Sequence, residues 1–243
     1  CVDTDFFKRQ KSVKKENFLL YLGRLNYEKG IDIAVRLSQE SGVPLIIAGP
    51  VRLEEKFSSK LFKERVEPFL SEHIKYVGCV NDLDKRILLS KAKALIVPNR
   101  WEEPFGIMNA EALACGTPII ATNKGSLKEI ILNEKTGILC DNFGELLEAI
   151  RNVDYLSEKF CRADALKRFS LKTYINQTDV NYWCEEYRDI SIKAIPIPTM
   201  QNNLLLVFNR EEFIELKRLI NYQNKFRFTQ LSFNEIKDSI CEN

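Results

Sequence analysis

Glu103 and Glu111 stand eight positions apart across a Pro104-Phe105-Gly106 turn, at the head of an apolar run that closes on Ala114-Cys115-Gly116-Thr117-Pro118. A turn that opens into a helix leaves backbone N–H groups without intrahelical partners and points the positive end of the helix dipole outward, which favours phosphate. Gly106 lets a ligand approach the N–H groups of Phe105, Gly106 and Ile107 closely, and carboxylates on either side are suited to accepting from hydroxyls. A second group lies at Gly23-Arg24-Leu25-Asn26-Tyr27-Glu28-Lys29-Gly30. Arg24 offers a planar fork of donors and Lys29 a mobile point charge, a pair that suits the two unlike groups of a diphosphate. Taken singly, each residue has a plainer explanation. Arg24 and Lys29 are then surface cations, Glu103 a loop carboxylate in water, and Glu111 an acid on a helix dipole worth about 0.3–1 kcal/mol.

The two groups matter together only if the fold brings them to one place. Short β-prone runs alternate with longer helical patterns from Asn17 to about Leu139, the signature of repeated βα units around a parallel sheet. Strands are expected at Phe18 to Leu22, Leu45 to Ala48, Ile74 to Val77, Ala94 to Val97, Pro118 to Ala121 and Gly137 to Leu139, several nearly all apolar, as in strands covered on both faces. Helices are expected after Gly30 and after Asn81-Asp82, and at 53–67, 107–115 and 142–153. The segment 155–189 stays helical, with Tyr174, Trp183 and Tyr187 as packing surfaces, and closes the domain. After Pro196-Ile197-Pro198, a small β-α-β-α tail is expected over Leu204 to Phe208, Glu211 to Tyr222, Phe226 to Thr229 and Phe233 to Ile240. The fold class is therefore α/β, a Rossmann-like parallel sheet flanked by helices, with a helical closure and a small appended α/β tail. Open sheets of this kind bind ligands outside the carboxyl ends of their strands. Arg24 and Lys29 follow the first strand and Glu103 follows the fourth, so both groups belong at that edge.

Composition narrows the function classes. Of 243 residues 45% are apolar and 29% charged, and the net charge is +2, so nothing in the overall balance calls for nucleic acid. Seven cysteines, odd in number and never spaced C-x-x-C, fit reduced thiols in a cytoplasmic chain and not a disulfide framework or a structural zinc site. No apolar run approaches the ~18 residues of a spanning helix. Lys8, Arg9, Lys11, Lys14 and Lys15 form one basic run before the first strand. A solvated linker is the favoured reading, with peripheral membrane association the minor alternative. There is no G-x-G-x-x-G, no P-loop lysine and no HExxH. His73 is the sole histidine, so dinucleotide redox chemistry, a Walker NTPase and a histidine-dependent triad all lose support.

Several motifs in one order resemble a known family. The segments VDTDFF, LYLGRLNYEKGIDIAVRLS, IIAGP, IKYVGCVNDLDK, ALIVPNRWEEPFGIMNAEALACGTPIIAT and KTGIL, spread over roughly residues 1–170, are similar to the retaining group 1 nucleotide-sugar glycosyltransferases. Those enzymes have the GT-B fold of two facing Rossmann-like domains. The resemblance implies that Arg24 and Lys29 are the cationic pair on the donor diphosphate. It implies that Glu103 lies near the transferred sugar and Glu111 near the ribose hydroxyls, and the spacing selects Glu103 over Glu102. Gly23, Pro104, Phe105, Gly106 and Ile107 then belong to the donor site, and the Val77 to Val80 loop, with Val80, lies beside the base. No metal and no cofactor are expected, because the cations take the place of a divalent ion.

One departure stands out: the family commonly has two glycines and a proline near Lys124-Gly125-Ser126-Leu127-Lys128-Glu129, where this chain has Ser126 and Lys128. In the family an acceptor-binding domain, with a functionally important histidine, precedes the VDTDFF-like linker. The expected organisation is a linker remnant at 1–16, a donor-binding domain at 17–170, closing helices at 171–192 and an appended tail at 193–243, the chain being the donor half of something longer. The expected activity is hexose transfer from a nucleoside-diphosphate sugar to a hydroxyl of a glycan or lipid-linked acceptor, with retention. A non-catalytic nucleotide-sugar-binding module is the alternative, and an epimerase of the same fold a weaker third, disfavoured by the EPFG motif.

Overall fold

A computed structural model describes residues 1–9, 13–51, 56–170, 173, 193–196 and 204–207. The chain divides into two compact units, Cys1–Asn181 and Tyr182–Asn243. In the first, the elements in chain order are β1 (Leu19–Leu22), α1 (Ile31–Ser41), β2 (Leu45–Ala48), α2 (Lys56–Arg65), β3 (Ile74–Tyr76), α3 (Asp82–Lys91), β4 (Ala94–Val97), α4 (Ile107–Ala114), β5 (Ile119–Thr122), α5 (Leu127–Ile130), β6 (Gly137–Cys140), α6 (Phe143–Asn152) and α7 (Glu158–Phe169). The strands form one six-stranded sheet in the order β3-β2-β1-β4-β5-β6, with every pairing parallel.

Alternation along the strands builds two cores. Leu19 and Tyr21 of β1 and Ala94 and Ile96 of β4 face a layer with Ile31 and Val35 of α1 and Leu146 and Ile150 of α6. Leu20, Leu22, Leu95 and Val97 face the opposite layer with Leu89 of α3, Leu113 of α4 and Ala165 of α7. Both faces of the central strands are therefore covered, which is why those strands read as unbroken apolar runs. Strand order reverses between β1 and β4, and the crevice at their carboxyl ends is where doubly wound sheets take ligands.

Differences from expectation have local causes. The helix expected over 53–67 is described from Lys56 and gives way to a 3-10 turn at Glu67–Phe69, because Pro68 lacks the N–H needed to continue it. β1 begins at Leu19, β3 ends at Tyr76, and β5 runs from Ile119 to Thr122, with Pro118 contributing only its carbonyl, to Leu95 N at 2.9 Å. α5 falls where no helix was expected.

The basic run is not uniformly solvated. Lys15 Nζ donates to Ala92 O at 2.9 Å and also to Thr117 Oγ1, closing the end of α3, while Arg9 pairs with Glu158 at 2.5 Å. Burial is the main influence on Lys15 and pushes its ammonium down to about 8. The opening segment packs on the same unit: Val2 N donates to Phe169 O at 2.8 Å and Phe7 is buried.

In the second unit, β7 (Lys193–Pro196) pairs antiparallel with β8 (Leu204–Val207). β8 matches an expected strand, whereas β7 lies where a break was expected. The other expected tail elements, with Tyr174, Trp183 and Tyr187, lie outside the described residues.

Candidate functional site

The loop after β1 and the loop after β4 meet at the reversal of strand order. Gly30 ends the first loop with φ 68°, and a Cβ there would lie 2.0 Å from Pro98 O. Only glycine permits so close an approach in that left-handed conformation. Lys29 Nζ forms an ion pair with Glu103 Oε2, and these side chains are only 11% and 6% exposed. The same Glu103 oxygen accepts from Asn99 Nδ2 at 2.8 Å and from Trp101 Nε1 at 3.2 Å, and Lys29 Nζ lies 4.7 Å from the centre of the Trp101 ring. Burying a carboxylate is costly unless it is paired and hydrogen-bonded, and three donors on one oxygen meet that need while fixing the carboxylate plane. No described residue donates to Glu103 Oε1.

Gly106 caps α4 with φ 69° and ψ 75°. The N–H groups of Phe105, Gly106 and Ile107 have no acceptor among the described residues. Phe105 and Pro104 are exposed and Gly106 and Ile107 half-buried. A Cβ on Gly106 would lie 2.5 Å from Asn109 Nδ2 and 3.2 Å from Glu103 Cγ, so the turn sits directly on the Glu103 side chain. Asn109 is fully buried, and neither of its amide atoms has a partner among the described residues.

Arg24 is exposed at the same edge. Its carbonyl accepts from Tyr21 Oη at 2.9 Å, which fixes the backbone while leaving the guanidinium unpaired among the described residues. Gly23 precedes it at φ 144°, packed so that a Cβ on Gly49 would lie 1.9 Å from its carbonyl. Val80 is half-buried in the loop after β3.

Glu111 sits apart from the Lys29–Glu103 pair. Its Oε1 accepts from Lys85 Nζ at 2.9 Å, and Lys85 also pairs with Asp82 at 2.9 Å. The other oxygen, Oε2, is buried without a partner among the described residues. Burial is the largest influence on Glu111 and raises its carboxyl above the usual range, with Lys85 opposing. Burial also acts on Lys85, downward, but its hydrogen bonds to Glu111 and Asp82 outweigh it and its ammonium is raised.

The structure thus joins Lys29, Glu103 and the Phe105–Ile107 turn directly, keeps Arg24 exposed on the loop that carries Lys29 with its guanidinium unpaired among the described residues, and puts Glu111 on the α3 side of α4. Sequence reasoning passed over Asn99, Trp101, Lys85 and Asn109 as site neighbours. Proximity to Glu103 in the chain could have found Asn99 and Trp101, while Lys85 carries no signal without the packing of α3 on α4. No group of three or more His, Cys, Asp or Glu side chains among the described residues could hold a metal ion, and no described helix is long and apolar enough to cross a membrane.

The family model described as glycosyl transferases group 1 matches residues 2–162. The chain belongs to that family. Residues 154–243 match a second model, described as a family of unknown function. A glycogen synthase of Mycobacterium tuberculosis is 35% identical over 142 residues, covering 56% of this chain and 33% of that protein. The chain spans about a third of the length of the curated relatives it matches. Among solved structures, Alr3699/HepE of Anabaena in complex with UDP aligns with a TM-score of 0.66 at 21% identity, over 76% of this chain and 56% of that one. The C-terminal domain of a group 1 glycosyl transferase family protein (LpcC) from Francisella tularensis aligns with a TM-score of 0.58 at 16% identity, over 70% of this chain and 100% of that domain. At these identities the structures establish the fold, a Rossmann-like half of the GT-B type.

Proposed function

We propose that this group 1 glycosyltransferase chain binds the donor in a retaining hexosyl transfer from a nucleoside-diphosphate sugar to a hydroxyl of a glycan or lipid-linked acceptor. The observation that carries the reading is the Lys29–Glu103 pair beneath the open N-terminus of α4, with the unpaired guanidinium of Arg24 at the same edge. Cleavage of the sugar–phosphate bond builds negative charge on the departing diphosphate. Cations and N–H groups fixed in advance stabilise that charge more in the transition state than in the ground state. Arg24, Lys29 and the Phe105–Ile107 N–H groups fill that role without a metal. Glu103, oriented through Oε2, presents Oε1 to a sugar hydroxyl or to positive charge developing at the reacting carbon. Glu111 accepts from the ribose hydroxyls, Val80 borders the base, and Gly23 and Pro104 shape the two loops.

The bound UDP of the Anabaena relative supports the ligand class. The acceptor is held by an N-terminal domain of the GT-B type, and the enzyme works in the cytoplasm, with peripheral membrane contact where the acceptor is lipid-linked. The domain boundaries we propose are 16, 170 and 192. Calorimetric titration with UDP, GDP and ADP tests the binding half: one of them should bind, and Arg24→Ala and Lys29→Ala should each weaken it about tenfold or more, as expected for lost charge-assisted hydrogen bonds. Unchanged affinity in both variants would remove the assignment. A second reading is a nucleotide-sugar-binding module without catalysis of its own. Donor hydrolysis or transfer by this chain would exclude that reading.

A further inference from the structure

Lys29 and Glu103 lie on loops that leave different strands, and their pairing depends on how those loops are held together. Arg100 holds them. Its guanidinium grips Asp32, in the first turn of α1, through two bonds of 2.7 Å, Nη1 to Oδ1 and Nη2 to Oδ2. Nη1 also donates to Tyr27 O at 2.8 Å, the guanidinium carbon lies 3.9 Å from the centre of the Tyr27 ring, and the backbone N donates to Glu28 O at 2.8 Å. From the other side, Lys124 Nζ donates to Arg100 O at 2.9 Å. A bidentate guanidinium–carboxylate contact fixes orientation as well as distance, which a lysine cannot do. Arg100 therefore touches the two residues before Lys29, reaches the helix that follows it, and stands three residues ahead of Glu103.

We propose that Arg100 and Asp32 form a positioning clamp that sets the Lys29–Glu103 geometry without touching the ligand. The inference deepens the donor-site reading and rests on it for its consequence in binding, but the clamp itself has a signature that needs no nucleotide. With the clamp released, the Lys29 amine spends time away from Glu103 and reacts faster. Competitive acetylation with acetic anhydride, read by peptide mass spectrometry, should show Lys29 labelling about fivefold faster or more in Arg100→Gln and in the isosteric Asp32→Asn, in line with coupling between residues of one network. Labelling of Lys91, at the end of α3 and paired with Glu16, should not change. Arg100→Lys keeps the charge and loses the fork, so it should behave like Arg100→Gln.

The binding consequence is read by calorimetry with UDP, GDP and ADP. Arg100→Gln should weaken the nucleotide that binds by about tenfold, and the same substitution in a Lys29→Ala background should add little, because Arg100 acts through Lys29. Unchanged Lys29 labelling in both clamp variants, with only a lowered Tm, would overturn the proposal and leave a structural role. Equal losses in both backgrounds would overturn it too, as they would mean that Arg100 meets the ligand independently. If the wild-type chain binds none of the three nucleotides, the donor-site reading fails, and the labelling alone decides the clamp.

Discussion

Gly125 offers a quantitative test of how the site is assembled. It sits at φ +53°, and an added Cβ would lie 2.4 Å from Glu103 N, 2.5 Å from Glu103 O and 2.9 Å from Glu102 C. These atoms are backbone and cannot swing aside as a side-chain tip can. The same segment is tied to the Glu103 loop by Ser126 N, which donates to Glu103 O at 2.9 Å, and by Gly125 N, which donates to Glu102 Oε2. Alanine at 125 therefore carries two costs: left-handed strain of about 1–2 kcal/mol and overpacking of about 1–3 kcal/mol as the Glu103 backbone gives way.

Gly42 provides the control. It lies at φ +69° at the end of α1, and nothing stands within 4 Å of its would-be Cβ. Gly42→Ala should cost only the strain, about 1–2 kcal/mol. Urea unfolding of the two variants, compared at similar m-values, isolates the clash as a difference of about 1–3 kcal/mol. Nucleotide affinity should fall in Gly125→Ala, where the Glu103 loop moves, and hold in Gly42→Ala. If Gly125→Ala is no less stable than Gly42→Ala, the reasoning fails, because the loop after β5 would then not be wedged against Glu103.

Three further outcomes are expected. Lys15 titrates near 8 in the folded chain, below its unfolded value near 10.5, so the unfolded state binds more protons between those values and stability should rise there by about 2 kcal/mol. Lys15→Met should lack that rise when unfolding is followed from pH 7.5 to 10. Glu111 has a raised folded pKa, so the folded state takes up its proton first as pH falls. Wild-type stability should then gain on that of Glu111→Gln as pH drops from 7 toward about 4.3, the unfolded value, and a constant difference in urea unfolding across that range would contradict it. Gly106→Ala, whose Cβ would press on Asn109 Nδ2 and Glu103 Cγ, should weaken nucleotide binding about tenfold or more by displacing the Phe105–Ile107 turn. Calorimetry with UDP, GDP and ADP checks it.

The six strands were legible because they are short β-prone runs, several nearly all apolar, bounded by turn residues, and six of the seven helices because their segments carry a helical pattern. Strand order was not. Period and composition say that β1 and β4 belong to one sheet, but their adjacency follows from a long-range pairing, Leu19 with Ala94 and Leu20 with Leu95, that leaves no local mark. Everything that distinguishes the site depends on it. Lys29 and Glu103 could be nominated separately from their loops, yet their ion pair exists because the two loops leave neighbouring strands, and Gly30 and Arg100 read as ordinary residues until those loops touch. Lys15 failed for the related reason that a run of cations looks solvated in sequence. Its ammonium is withdrawn from water by carbonyls at the end of α3, a helix that lies some seventy residues further along.

The same distinction explains why two carboxylates with similar sequence standing end in different electrostatic settings. Glu103 lies on the loop after β4, where the loop after β1 also arrives, and there one oxygen collects Lys29, Asn99 and Trp101. Glu111 is carried on α4, whose position is fixed by packing, so it can take only what α3 presents. That is Lys85 for one oxygen and nothing for the other. A ligand hydroxyl that reached Glu111 Oε2 would satisfy a buried acceptor now left without a partner, whereas a ligand reaching Lys29 must share an ammonium already engaged. In the proposed donor site, then, the Glu111 end gains hydrogen bonds on binding while the Lys29 end exchanges them. Nucleotide recognition should accordingly depend more steeply on Glu111 than its distance from the Lys29–Glu103 pair suggests.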